Sequence, residues 1–267
     1  MSDREHFEKR AESLERRHEE ENLMLQKRQE EYRVIEEVFD RLTLEGVVKL
    51  ISQRVIDDIH GVVSAGKEAR VYWGQDPEGG ELAIKIYYTS TAEFRKGMMQ
   101  YIQGDPRFKR VRRSTRGIIY TWTQKEFSNL QLVEEAGVNA PRPIAFNRNI
   151  LVMTFIGVDG VPAPLLREVR PEDPAGFYEK LINEVKIMYT KAQLVHGDLS
   201  EYNIMVWDES PVIFDVSQAM LTSHPLSQSL ITRDITNINS YFGRLRVDTY
   251  DADLLEEWVK GESEELS

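Results

Sequence analysis

The stretch VHGDLSEYNIMV at 195–206, followed by VIFD at 212–215, limits the folds open to this chain more than any other feature. Ile204–Val206 and Val212–Phe214 are apolar runs too short for helices, separated by the turn residues of Trp207-Asp-Glu-Ser-Pro211, and they read as two short strands. Asp198 and Asn203 stand before the first strand and Asp215 leaves the second. One reading makes Asp198 and Asn203 turn caps, since both side chains bond nearby backbone readily. The other is chemical. Phosphoryl transfer from ATP needs a carboxylate to orient the acceptor hydroxyl, an amide oxygen and a second carboxylate for Mg²⁺, and a lysine for the α/β-phosphates. His196-Gly-Asp198 followed by four residues and then Asn203 has the spacing of the loop that supplies the first two groups in kinases. Asp215 then supplies the second carboxylate. An all-oxygen ligand set suits Mg²⁺, for which Mn²⁺ can substitute, better than Zn²⁺.

The lysine is expected on a strand. Lys85 lies in ELAIKIYY (81–88), among apolar neighbours that make an unpaired charge costly. Its expected counter-charge is Glu126, in TWTQKEF (121–127), although Thr123-x-x-Glu126 also fits a helix capping box. A phosphate-binding turn is expected ahead of Lys85, in SAGKEARV (64–71). Ser64, Gly66 and Lys67 are its candidates, but one glycine stands where three are usual, and an ordinary hairpin turn fits equally. Adenine is expected against the backbone of Met153, Thr154 and Ile156, at a hinge near 156–164. His196 reads as a structural hydrogen-bonding residue beside Asp198.

Around these groups the periodicity changes along the chain. Residues 1–40 read as one helix with no Gly or Pro, polar in its first half. A second helix is predicted from an N-cap at Thr43 to His60-Gly61, on the spacing of Val47, Val48, Ile51, Val55 and Ile59. Three short β-type runs follow as an antiparallel meander (62–63, 69–73 and 81–88). Then come a basic segment (89–116), a helix from about Thr123 to Ala136, a strand at 150–155, a helix over 177–192, the opening stretch, and polar helices. This order predicts an α+β, two-lobed kinase-like fold. An N-terminal helical segment spans 1–60, a β-rich lobe 61–155 and a helical lobe 156–267.

Composition excludes several classes. No cysteine is present, so disulfides, thiolate metal sites and cysteine nucleophiles are ruled out. No apolar run approaches the roughly 20 residues that span a bilayer, and the charged start is unlike a secretory signal, which makes a cytoplasmic protein the expectation. The net charge is -11, yet 89–116 holds eight Lys/Arg against Glu93 and Asp105. Either that segment is simply solvated or it meets an anionic partner. Phe94, Tyr101 and Phe108 interleave with its charges, as an RNA contact by loop 89–116 would allow.

Taken together, SAGKEARVY (64–72), STAEFRKGMMQYIQGDPRF (90–108), EAGVNAPRPI (135–144), HGDLSEYNI (196–204), IFDVSQAM (213–220) and RDITNINSYF (233–242) resemble the RIO family of atypical serine/threonine kinases, specifically its type-1 branch. The resemblance covers most of residues 45–245. It implies that Asp198 is the catalytic base, that Asn203 and Asp215 bind metal, that Lys85 binds ATP phosphates, and that Asp215 can accept phosphate transiently. It also implies autophosphorylation and a role in maturing the small ribosomal subunit, more as an ATPase switch than as a peptide kinase. The residues support that last expectation independently. Gly197 replaces the arginine that would receive a phosphorylated activation loop, Asp215-Val-Ser replaces D-F-G, and no A-P-E follows. Ala65 departs from the usual threonine, and the long charged tails of eukaryotic members are absent, which suits an archaeal-like version. Two other readings compete: an assembly factor using ATP only structurally, and a small-molecule phosphotransferase of the aminoglycoside or choline kinase kind.

Overall fold

The structure, a computed structural model, describes residues 40–89, 94–109, 111–112 and 114–266. The helix expected over residues 1–40 lies almost wholly outside them.

The first described helix, α1 (Arg41–Ser52), is capped by Asp40, whose carboxylate accepts from the Thr43 amide at 2.9 Å and the Thr43 hydroxyl at 3.0 Å. It leads into β1 (Asp58–Ala65), β2 (Ala69–Gln75) and β3 (Glu81–Tyr87), an antiparallel meander. After α2 (Phe94–Ile102), a 3₁₀ turn at Pro106–Phe108 and the long helix α3 (Thr115–Ala136), β4 (Pro143–Asn147) and β5 (Ile150–Thr154) complete a five-stranded sheet of order β1-β2-β3-β5-β4. The central strand β3 alternates between two environments. Leu82, Ile84 and Ile86 face α1, packing with Val47 and Leu50, while Ala83, Lys85 and Tyr87 face α3 and the helical half. Close approach of α1 to the sheet needs Gly46, where a Cβ would come within 2.9 Å of Ile150 Cδ1.

A two-stranded link, β6 (Gly157–Val158) and β7 (Val161–Pro162), leads to the helical half. This half comprises α4 (Pro174–Thr190), the pairs β8 (Leu194–Val195) with β11 (Met220–Leu221) and β9 (Ile204–Trp207) with β10 (Ser210–Ile213), then α5 (Ser227–Arg244) and α6 (Ala252–Lys260). Its core joins Phe177, Leu181 and Val185 of α4 to Ile235 and Phe242 of α5.

Several expectations need correction. The predicted helix from Thr43 to His60-Gly61 starts three residues earlier and ends at Ser52. Arg54 then turns left-handed (φ +58°), and Ile59 is buried from a strand, its apolar period being satisfied by the sheet. Helix α3 begins at Thr115, eight residues before the expected start, with the Ser114 hydroxyl accepting from the Gly117 amide at 3.1 Å. Thr123 is therefore mid-helix, its hydroxyl donating to the Ile119 carbonyl, and the capping-box reading fails. The basic segment is not simply a loop, for it contains α2 and the 3₁₀ turn. Two of its aromatics are engaged within the fold: Phe108 is buried, and Tyr101 packs edge-on to Trp122 at 6.1 Å. Arg107 is bonded to Asp105 at 2.7 Å, and Arg116 to Asp40 at 2.9 Å. Among the described residues, no helix is long and apolar enough to cross a membrane.

Candidate active site

Strand β3 delivers Lys85 by register, opposite Val71 of β2 and Leu151 of β5. Helix α3 brings Glu126 to the same point across 41 residues, with Lys85 Nζ to Glu126 Oε1 at 2.7 Å. The glutamate is 1% exposed and also accepts from the Tyr87 hydroxyl. On its other side Lys85 donates to Asp215 Oδ1 at 2.9 Å. Burial opposes the charge of Lys85, but Asp215 and Glu126 outweigh it and hold the ammonium protonated well above the ordinary lysine range. Burial likewise pushes the Glu126 carboxyl up, against the pull of Lys85. For Asp215 the balance reverses. Lys85 and the Ser217 hydroxyl, 2.9 Å from Oδ1, overcome burial and hold the carboxyl below its usual range.

The β9–β10 ladder pairs Ile204 with Ile213 and Trp207 with Ser210, and the Phe214 amide closes it by donating to the Asn203 carbonyl at 3.1 Å. Asn203 and Asp215 are thus held at one end of the hairpin. The Asn203 amide nitrogen donates to the Asp198 carbonyl at 2.8 Å, which leaves its side-chain oxygen as a donor atom for a cation. Gln218 Nε2 donates to Asp198 Oδ2 at 3.1 Å, and burial raises the Asp198 carboxyl against the opposing pull of His196 and Arg233. His196 is buried, with Nε2 3.0 Å from the Phe214 carbonyl, as a structural role requires.

The loop 196–199 needs further support that the sequence did not reveal. Gly197 has φ +77°, which glycine adopts without strain, and its amide and that of Leu199 donate to the buried carboxylate of Asp234 at 2.7 and 2.9 Å. Burial raises the Asp234 carboxyl to about 6, against His196 and these two amides. On the opposite side, Lys125 is fully buried below the turn that follows Asp215, and burial, with Arg107 nearby, draws its ammonium down to about 7. Gln218 could have been suspected from its place in IFDVSQAM; Lys125, Asn129 and Asp234 carry no local signal.

Two cavities meet at these groups. One, of 240 Å³, is lined by Ser64, Gly66, Lys67, Lys85, Glu126 and Asp215. Glu68 also faces it, its carboxyl raised by burial and then by Asp215. The second, of 260 Å³, is lined by Ala83, Met153, Thr154, Ile156 and Phe214, and shares Ser64, Val71, Met153 and Phe214 with the first. The structure therefore gathers Ser64, Gly66, Lys67, Lys85, Glu126 and Asp215 around one space and Met153, Thr154 and Ile156 around its apolar extension. Asp198 and Asn203 line neither cavity; Asn203 is joined to the strand end before Asp215 through the Phe214 amide, and Asp198 to Gln218. A larger hollow of 840 Å³ against residues 99–118 holds none of these side chains.

A five-stranded antiparallel sheet over a helical half, with a lysine–glutamate pair facing an Asp–Asn loop and a second aspartate, defines a two-lobed protein-kinase-like phosphotransferase. Comparison narrows the class. The family model of the RIO domain matches residues 70–255, and the chain belongs to the RIO family of kinases. It is 41% identical over 225 residues to the RIO-type serine/threonine-protein kinase Rio1 of Methanocaldococcus jannaschii, covering 84% of this chain and 77% of that protein. Rio1 of Haloferax volcanii is 38% identical, over 88% of this chain and 80% of its own length. Human RIO1 is 36% identical over 79% of this chain, but only 38% of the human protein is covered. The archaeal relatives agree with the type-1 branch. Among solved structures, the Rio2 kinase from Chaetomium thermophilum has the same fold (TM-score 0.65, 24% identity, 82% of this chain and 67% of that one). Its ADP/Mg²⁺-phosphoaspartate complex matches at TM-score 0.63 and 22% identity, over 82% of this chain and 66% of that one.

Proposed function

We propose that this RIO-type kinase binds ATP in the paired cavities and uses it as a serine/threonine kinase and slow ATPase acting on the small ribosomal subunit. The carrying observation is Lys85, held 2.7 Å from Glu126 and 2.9 Å from Asp215, facing the space shared by residues 64–67 and 153–156. Adenine fits the apolar extension against Met153, Thr154 and Ile156. Lys85 takes the α/β-phosphates, and Ser64, Gly66 and Lys67 cover them. The lobes divide near residue 155, with the nucleotide between them.

Asn203 and Asp215 offer a hard oxygen pair at one hairpin end, and only one oxygen of Asp215 is taken up by Lys85 and Ser217. That donor chemistry fits Mg²⁺, or Mn²⁺ in its place. Bound there, the cation would neutralise phosphate charge. Asp198 takes the proton of the attacking hydroxyl, and its raised carboxyl suits that role. Asp215 is the candidate for transient phosphorylation, by analogy with the phosphoaspartate in the Rio2 complex. Lys109 and Arg112, both exposed, support contact of segment 89–116 with ribosomal RNA through charge rather than stacking. Single-turnover ATP hydrolysis tests the enzyme reading. Asp198→Ala should retain ATP binding and lose turnover by about 10²-fold or more; unchanged turnover would reject Asp198 as the base.

A further inference from the structure

Helix α3 touches both halves of the site. Glu126 aims Lys85, and its neighbours Lys125 and Asn129 reach into the turn Asp215–Ala219 instead. Lys125 Nζ donates to the Ser217 carbonyl at 3.0 Å and to the Ala219 carbonyl. Asn129 Nδ2 donates to the carbonyls of Val216 at 2.8 Å and Ala219 at 3.1 Å. Arg107 fixes the direction of that amide by donating to Asn129 Oδ1 at 2.8 Å. Lys125 and Asn129 are both 0% exposed. An ammonium brought fully out of water is expensive, and an apolar side chain would fill the same space without that cost. Both of the hydrogen bonds that Lys125 Nζ makes among the described residues end on backbone oxygens of this turn.

The turn has a reason to need such a hold. Asp215 sits at φ +57°, a left-handed backbone that a non-glycine residue keeps only when its surroundings over-determine it. The ladder fixes the residue on one side, through the Phe214 amide on the Asn203 carbonyl. The four contacts from Lys125 and Asn129 fix it on the other. We propose that Lys125 and Asn129 are positioning residues: by clamping the carbonyls of Val216, Ser217 and Ala219 they hold Asp215 in its left-handed conformation and aim its carboxylate at Lys85 and at the divalent cation. One helix thereby sets both partners of the Lys85–Asp215 contact, and α3 cannot swing away without releasing the aspartate. This inference rests on the reading of Asp215 as a cation ligand.

The test is the affinity of the full-length protein for a fluorescent ATP analogue, measured with and without Mg²⁺, in the parent, Lys125→Met, Asn129→Leu, Lys125→Arg and Asp215→Asn. The loss in Lys125→Met and Asn129→Leu should fall on the Mg²⁺-dependent gain in affinity, which shrinks by roughly 10-fold or more, as when groups that orient metal ligands are removed. Lys125→Arg, which keeps hydrogen-bond donors, should recover part of it. Hydrogen exchange of the amides at 216–219 should quicken in both disruptive variants. If Asp215→Asn loses the Mg²⁺ gain while Lys125→Met and Asn129→Leu keep the parent's, the positioning role is overturned and the cation reading stands. If Asp215→Asn keeps the gain, the cation reading fails and the inference fails with it. If Lys125→Met and Asn129→Leu both fail to fold, the pair serves stability and the positioning role is overturned.

Discussion

Removing Lys85 has electrostatic consequences for two carboxylates, Glu126 and Asp215. Glu126 has no water to turn to, whereas the Asp215 side chain keeps 39% of its surface open to the cleft. Lys85→Met should therefore destabilise the fold chiefly through Glu126, by about 3–5 kcal/mol, the usual loss when one member of a buried pair is left alone. Adding Glu126→Gln to Lys85→Met should recover most of it, as chemical denaturation of the two variants would show. The loss in Lys85→Met should also depend on pH. A buried Glu126 without its lysine has a folded-state carboxyl raised by burial, so the variant is more stable in acid and weakens as pH rises through that value. A destabilisation that is flat with pH would contradict this.

At the level of elements, α5 is tied to the Asp–Asn loop by the Asp234 carboxylate, by Asn237 donating to the Leu199 carbonyl at 3.1 Å and by Arg244 donating to Glu201 at 2.8 Å. Asp234 accepts the amides of Gly197 and Leu199, and burial raises its carboxyl from the ordinary 3.8 to about 6. A carboxyl raised on folding favours the folded state most when protonated. Its contribution is complete below the unfolded value, near 4, and is lost as pH rises through about 6. Relative to Asp234→Asn, which cannot ionise, the parent should lose about 3 kcal/mol between pH 4 and 7 and change little above that, since each tenfold change in proton affinity is worth roughly 1.4 kcal/mol. Thermal melts of the two proteins across that range measure it, and parallel curves would mean that Asp234 ionises without penalty.

The same tie shows what could be read in the sequence. Lys85, Asp198, Asn203 and Asp215 were legible because each stands on or beside a short apolar strand at a spacing that few other structures produce. Glu126 followed from asking what could neutralise a buried lysine. Lys125, Asn129 and Asp234 were not legible, because the site groups they hold are backbone amides and carbonyls 35 to 94 residues away, which carry no side-chain signal. Boundaries failed where one period served two elements. Val55 and Ile59 continue the spacing of α1 but belong to the turn and strand beyond it, and the helix expected from about Thr123 already begins at Thr115.

For the whole molecule, the basic segment is tied to the Asp215 turn through Arg107 and Asn129, so the placement of its charge and the order of that turn share one support. Lys109→Glu with Arg112→Glu should weaken co-sedimentation with small ribosomal subunits and flatten its dependence on salt, since each lost phosphate contact removes a released counterion. Equal binding by parent and variant across a salt series would remove this surface from the interface. The most direct check of the site itself is a crystal structure with a non-hydrolysable ATP analogue and Mg²⁺. It should show the cation about 2.0–2.1 Å from the Asn203 side-chain oxygen and an Asp215 carboxylate oxygen, with Asp198 facing the terminal phosphate. A nucleotide bound elsewhere, or a cation held by other residues with Asn203 and Asp215 turned away, would contradict the assignment.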